Sequence, residues 1–210
     1  MRSVSPPHTL EEFARVFDNG GRLWNIFSRK GDGVLSAAEL ARAAGTLSAD
    51  AESLLHFEFL RGFLNDADHA RAIEMLEPEL RERRAAHLPA ATSPSRLESD
   101  VPADGTAILT GVPVLMKNPK LVGGEAEAYI RKDYLYTMVE GPLYAHHELY
   151  EVFDSTPGKG ASAILAVPVQ DGRLPGARLH LAGVVRDILP ESTRQGPWKR
   201  YLLGLFFAPA

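Results

Sequence analysis

Residues 89–104, PAATSPSRLESDVPAD, separate two stretches whose hydrophobic periods belong to different kinds of element. Before them, apolar residues recur three and four apart, the spacing of one helix face. After them, apolar and polar residues alternate, the spacing of a strand. A chain with both periods in separate blocks is expected to fold as two bodies, each with its own core. The dividing stretch holds three prolines, small polar residues and no period, which is linker composition. The expectation is an α+β protein: an all-helical domain over 9–88, a linker over 89–104, and a mostly-β domain, an antiparallel barrel or sandwich, over 105–210.

In the first block, residues 1–8 with Pro6-Pro7 read as a loose lead-in. Thr9 and Glu12 fit a capping box, and Leu10, Phe13, Val16 and Phe17 form an apolar face. Asp18-Asn19-Gly20-Gly21 interrupts that helix. A second helical run covers Arg22 to Ser28, and a third begins near Ser36 and stops at Gly45, a natural C-cap. The helix after Ser48 carries Leu54, Leu55, Phe57, Phe59, Leu60, Phe63 and Leu64 around most of its circumference, which places it centrally. Asn65-Asp66 opens a last helical run with Ile73, Met75, Leu76 and Leu80. Its Arg81, Arg83 and Arg84 suit the negative pole of the helix dipole and read as a solvated terminus.

In the second block the expected strands are Thr106–Met116, Glu125–Arg131, Tyr134–Val139, Ser162–Val169, Ala177–Leu189 and Arg200–Phe207. Turns fall at Asn118-Pro119, Gly123-Gly124, Gly141-Pro142, Gly158-Lys159-Gly160, Asp171-Gly172 and Pro175-Gly176. Leu143–Phe153 fits a strand or a short helix. If it is a helix, the order of three strands, helix and two strands resembles the OB-fold with one strand added.

One segment has a more specific pattern. Trp24 and Phe27 lead into a short polar run, then Asp32-Gly33-Val34-Leu35-Ser36-Ala37-Ala38-Glu39-Leu40. Residues 13–46 resemble an EF-hand, the helix–loop–helix calcium site. The resemblance places the turn at Gly33 and implies Ser28, Asp32, the Val34 carbonyl and the closing Glu39 as metal ligands, with Leu35 where an apolar residue bridges to a partner hand. It departs from the family at Lys30, an ammonium at a ligand position, and at Ser28, a neutral oxygen where a carboxylate is usual. With two carboxylates left, calcium binding is expected at about millimolar strength or lost. The loop is then either a structural relic or a weak site completed by water or by a neighbouring acidic residue. No second hand is legible: Phe13–Gly21 lacks a closing Glu, and Asn65–Asp68 lacks a loop Gly.

Other motifs resolve to ordinary structure. His146-His147-Glu148 cannot converge on one ion, since adjacent side chains diverge by about 100° on a helix and 180° on a strand, so it reads as a polar surface cluster. Pro157-Gly158-Lys159-Gly160 lacks the leading Gly and trailing Ser/Thr of a phosphate loop and reads as a turn. Gly160–Ile164 lacks the second Gly of a nucleophile elbow.

Charge limits the partners. Residues 1–103 carry 12 Lys/Arg and 16 Asp/Glu, and residues 104–210 carry 11 of each. Neither block has the basic footprint of a nucleic-acid binder. The chain has no cysteine, which excludes disulfides and thiolate chemistry. No leader-like or membrane-spanning run is legible, so a cytoplasmic location is expected. The reading is a non-catalytic interaction or scaffold protein with a degenerate EF-hand and an unidentified protein partner, or else a small-molecule or partner-binding module acting through the OB-like β domain. No catalytic constellation is visible.

Overall fold

The computed structural model describes residues 1–17, 33–45, 50–122, 125–132, 135–188 and 198–210. The chain divides into two compact units, Val4–Pro89 and a second made of Met1–Ser3 with Ala90–Ala210. The protein is of the α+β class.

In the first unit, α1 (Leu10–Phe17) starts where Thr9 Oγ1 accepts the Glu12 N–H and the Glu12 carboxylate accepts the His8 N–H. Helix α2 (Ala37–Ala44) has a capping box at Ser36 and Glu39, and ends on Gly45 in the left-handed conformation. Then come α3 (Asp50–Arg61), α4 (Asp66–Glu74), capped by Asn65, and α5 (Pro78–Ala86), whose proline occupies the first turn, where no amide donor is needed. Burial of every residue from Ser53 to Arg61 makes α3 the central helix. Phe13 and Phe17 of α1 stack at a tilt with a 5.0 Å centroid separation, and both meet Phe57 of α3 at 5.3 and 5.9 Å. The second expected helical run, Arg22–Ser28, lies outside the described residues.

The second unit corrects the linker. Residues 90–104 contain strand β2 (Ala90–Thr92), a 3-10 turn at Pro94–Arg96 and the one-turn helix α6 (Leu97–Asp100). Leu97 and Val101 are buried in the barrel core. The lead-in is corrected too: β1 (Arg2–Ser3) pairs in parallel with residues 206–207, and the Met1 side chain lies in the same core. Both segments lack a period because each is too short to show one.

The remaining strands are β3 (Thr106–Leu115), β4 (Glu125–Lys132), β5 (Leu135–Pro142), β6 (His147–Phe153), β7 (Ser162–Pro168), β8 (Leu179–Asp187) and β9 (Arg200–Pro209). Leu143–His146 forms one helical turn, α7, before β6 begins, so 143–153 is mostly strand and the expected three-strand, helix, two-strand order does not occur. Strands β3, β6, β7, β9 and β8 pair in that order, and β8 returns to β3. That closes a five-stranded barrel, so the sandwich is excluded. The barrel is mixed and not wholly antiparallel, because β7 and β9 run parallel. Strands β4 and β5 form a separate two-stranded hairpin between β3 and β6.

Alternation on the barrel strands sorts residues onto two faces. Leu109, Tyr150, Val152, Leu165, Val167, Leu181, Val185 and Leu202 belong to the main core. Leu149, Ile164, Ala166 and Tyr201, of opposite parity, form a second cluster with Val122, Leu143 and Ile188. Closure is tight at Gly183, where β8 and β9 slip register and a Cβ would lie 2.1 Å from the Leu203 carbonyl oxygen. Because that obstacle is backbone, Gly183→Ala is expected to cost at least about 2 kcal/mol, read as a lower urea midpoint for the barrel transition.

Candidate functional site

Of the four expected metal ligands, Ser28 and Asp32 lie outside the described residues. Val34 is exposed, just after Gly33 with its φ of +77°. Glu39 is buried, and its Oε2 accepts the Ser36 N–H at 2.9 Å and the Ser36 hydroxyl at 2.8 Å. The carboxylate therefore serves as the third-position partner of a helix cap. Among the described residues no three His, Asp or Glu side chains gather as a metal site.

Leu35, the residue next to Val34, is bonded elsewhere. Its N–H donates to the Met75 carbonyl at 2.5 Å, and its carbonyl accepts the Glu77 N–H at 3.0 Å, forming a parallel bridge to Leu76. The turn between α4 and α5 is thus tied to the turn that opens α2. Leu35 and Leu76 are both buried there.

The arginine-rich end of α5 is not simply solvated. Arg84 pairs with Glu58 of α3, a buried carboxylate that also accepts two bonds from Arg61, at 3.0 Å from Nε and 2.6 Å from Nη2. Arg81 donates to the carbonyls of Leu76 and Glu74, at 2.7 and 2.9 Å. A buried carboxylate needs such partners because its desolvation is otherwise uncompensated. Sequence reasoning missed Glu58 because one of its two arginines, Arg84, is 26 residues away on another helix.

The barrel carries a groove of about 410 Å³, lined by Pro94, Ser95, Glu98, Glu151, Gly160, Ala161, Ser162 and Trp198. Its walls come from four places. The 3-10 turn and α6 supply Pro94, Ser95 and Glu98. Strand β6 supplies Glu151 and the start of β7 supplies Ser162. Trp198 leads into β9. Glu98 Oε1 accepts the Lys199 and Arg200 N–H groups at 2.7 and 3.3 Å, which fixes α6 against the start of β9. Glu151 Oε1 accepts the Ser162 hydroxyl at 2.6 Å. Oε2 of each glutamate takes no hydrogen bond from the described residues. Two carboxylate oxygens beside an indole suit a ligand that carries a cation. None of these residues stands in a recognisable motif, because the groove is assembled from segments spread over 105 positions of chain.

His147 is not part of a surface cluster. It is buried, its Nδ1 lies 3.2 Å from the Leu143 carbonyl, and burial holds its pKa below the ordinary value. Only the single turn of α7 separates it from Leu143, so the ring tucks under its own helix.

Comparison with protein-family models and with curated proteins finds no match for this chain. The Glu58 cluster has a direct structural test. Glu58→Gln leaves Arg61 and Arg84 without their carboxylate and is expected to cost about 3 kcal/mol in the helical unit, measured by urea unfolding.

Proposed function

We propose that the protein is a non-catalytic interaction protein whose helical unit carries a single degenerate EF-hand over about residues 13–46. The observation that supports this reading is the left-handed turn at Gly33, φ +77°, followed by the buried apolar Leu35 in a backbone bridge to Leu76. The bridge ties that turn to the short turn between α4 and α5, which is not read as a second hand, because the bridge is parallel whereas paired EF-hands join through an antiparallel one. The hand keeps its turn and uses its closing Glu39 as a cap.

Calcium then contributes little. For a site with a dissociation constant of about 1 mM, 1 mM calcium stabilises the folded state by about 0.4 kcal/mol. Thermal melts with calcium against chelator are expected to differ by no more than about 3 °C. Lys30→Asp should enlarge that difference by restoring a carboxylate and removing a positive charge, and Glu39→Gln should abolish it. A large native shift that survives Glu39→Gln would place the ion elsewhere.

The groove supports a second reading, a binding module acting through a barrel of the OB class. In the ring, the first three barrel strands (β3, β6, β7) are consecutive and the fifth (β9) lies between the third and the fourth, a Greek-key order consistent with that class. In OB-folds ligands meet the second and third strands and the loops after the first and fourth. Here much of that face is covered by Leu143 and Val122, and the groove opens at its Glu151–Ser162 end. A partner presenting Arg or Lys side chains fits the two carboxylates and Trp198. Titration calorimetry with a short Arg/Lys peptide is expected to show binding that Glu98→Gln with Glu151→Gln weakens at least about fivefold. Equal binding by the double variant would remove the groove from consideration.

A further inference from the structure

Arg61 of α3 reaches His69 of α4. Nη1 of Arg61 lies 2.5 Å from Nδ1 of His69 and 3.4 Å from the His69 carbonyl oxygen, to which it also donates. A guanidinium is always charged and only donates, so Nδ1 must be the acceptor and the imidazole must be neutral, with its proton on Nε2. A second proton could go only onto Nδ1. That would set two donors and two positive charges against each other at hydrogen-bond distance.

We propose that His69 is an acid-sensitive latch: its protonation detaches α4 from Arg61 and loosens the Leu35–Leu76 bridge that follows directly from the end of α4. Met75 and Glu77, which hold Leu35 from both sides, begin at the residue after α4. Movement of α4 is therefore passed to the turn before α2 within a few bonds. The same Arg61 keeps its other nitrogens on Glu58, so α3 and α5 stay joined through Arg84 while α4 is released.

Among the described residues, the charged groups acting on His69 are Arg61 and Glu58 of α3, Asp66 of its own helix and Arg84 of α5. Burial, followed by the Arg61 charge, holds the His69 pKa below its ordinary value, against the smaller opposing pull of Glu58 and Asp66. The sign follows. With the folded pKa below the unfolded one, the stabilisation is complete above about pH 6.5 and is lost as pH falls through the folded value.

Histidines 147 and 180 of the barrel also have lowered pKa values, so whole-protein melts would mix the two units. The test is local. In the full chain, NMR is used to follow the His69 ring from pH 8 to 5, together with amide hydrogen-exchange protection at Leu35 and Glu77. The neutral ring should carry its proton on Nε2 and titrate below 6.5. Protection at both amides should fall roughly three- to tenfold between pH 7.5 and 5.5, after correction for the intrinsic rate. In His69→Gln, whose side-chain oxygen still accepts from Arg61 and does not titrate, that fall should vanish. A proton on Nδ1, a pKa at or above 6.5, or equal pH-dependence in His69→Gln would overturn the proposal. The native titration decides it even if the variant does not fold.

Discussion

The Leu203 carbonyl oxygen sits where residue 183 would carry its Cβ, and the barrel closes only because that residue is glycine. The close approach coincides with the register slip between β8 and β9. Strand β9 pairs in parallel with β7 on one edge and antiparallel with β8 on the other, and the slip lies on the β8 edge. Everything on the outside of the barrel follows from this ring. Its pleat sends Tyr150 and Val152 inward and leaves Leu149 and Glu151 outward. The outward set becomes a second apolar cluster at one end and a carboxylate-lined groove at the other. A strand surface that could have lain open is thus half filled by the chain's own Leu143 and Val122.

The helical unit depends on charge in a different way. Glu58 is buried on the most enclosed helix, and two arginines make that tolerable. An apolar residue at 58 could hold α3 and α5 together without them, since buried ion pairs seldom exceed their desolvation cost. What the ion cluster adds is direction. It fixes which face of α5 meets α3, and it leaves Arg61 one nitrogen with which to reach α4.

Features written in local chemistry were legible in the sequence. Alternation located most of the strands: the expected Thr106–Met116 is Thr106–Leu115, and Ser162–Val169 is Ser162–Pro168. The caps at Thr9, Ser36 with Glu39, Gly45 and Asn65 stand at or next to helix ends, because a cap acts over three or four residues. Features that depend on distant partners were not legible. Residues 90–104 resemble a linker until their partners are known: Ala90–Thr92 pairs with β3, and Leu97 points into the core. The burial of His147 and Glu58 and the whole groove belong to this second kind. Of the hand, Gly33 to Glu39 keeps the turn and the cap, while Ser28 and Asp32 lie outside the described residues.

The barrel begins with Met1–Ser3, leaves the chain to build the helical unit from Val4 to Pro89, and resumes at Ala90. Covalently, the helical unit is an insertion with both ends held by one folded body. While β1 stays paired with β9 and β2 with β3, an unfolded helical segment is a closed loop and not a free arm. The barrel then acts on that segment as a disulfide would, removing loop entropy worth up to about 4 kcal/mol for a loop of this length. The weak point of this staple is β1, just two residues long. If those two residues come off β9, the helical unit loses a constraint without losing any contact of its own.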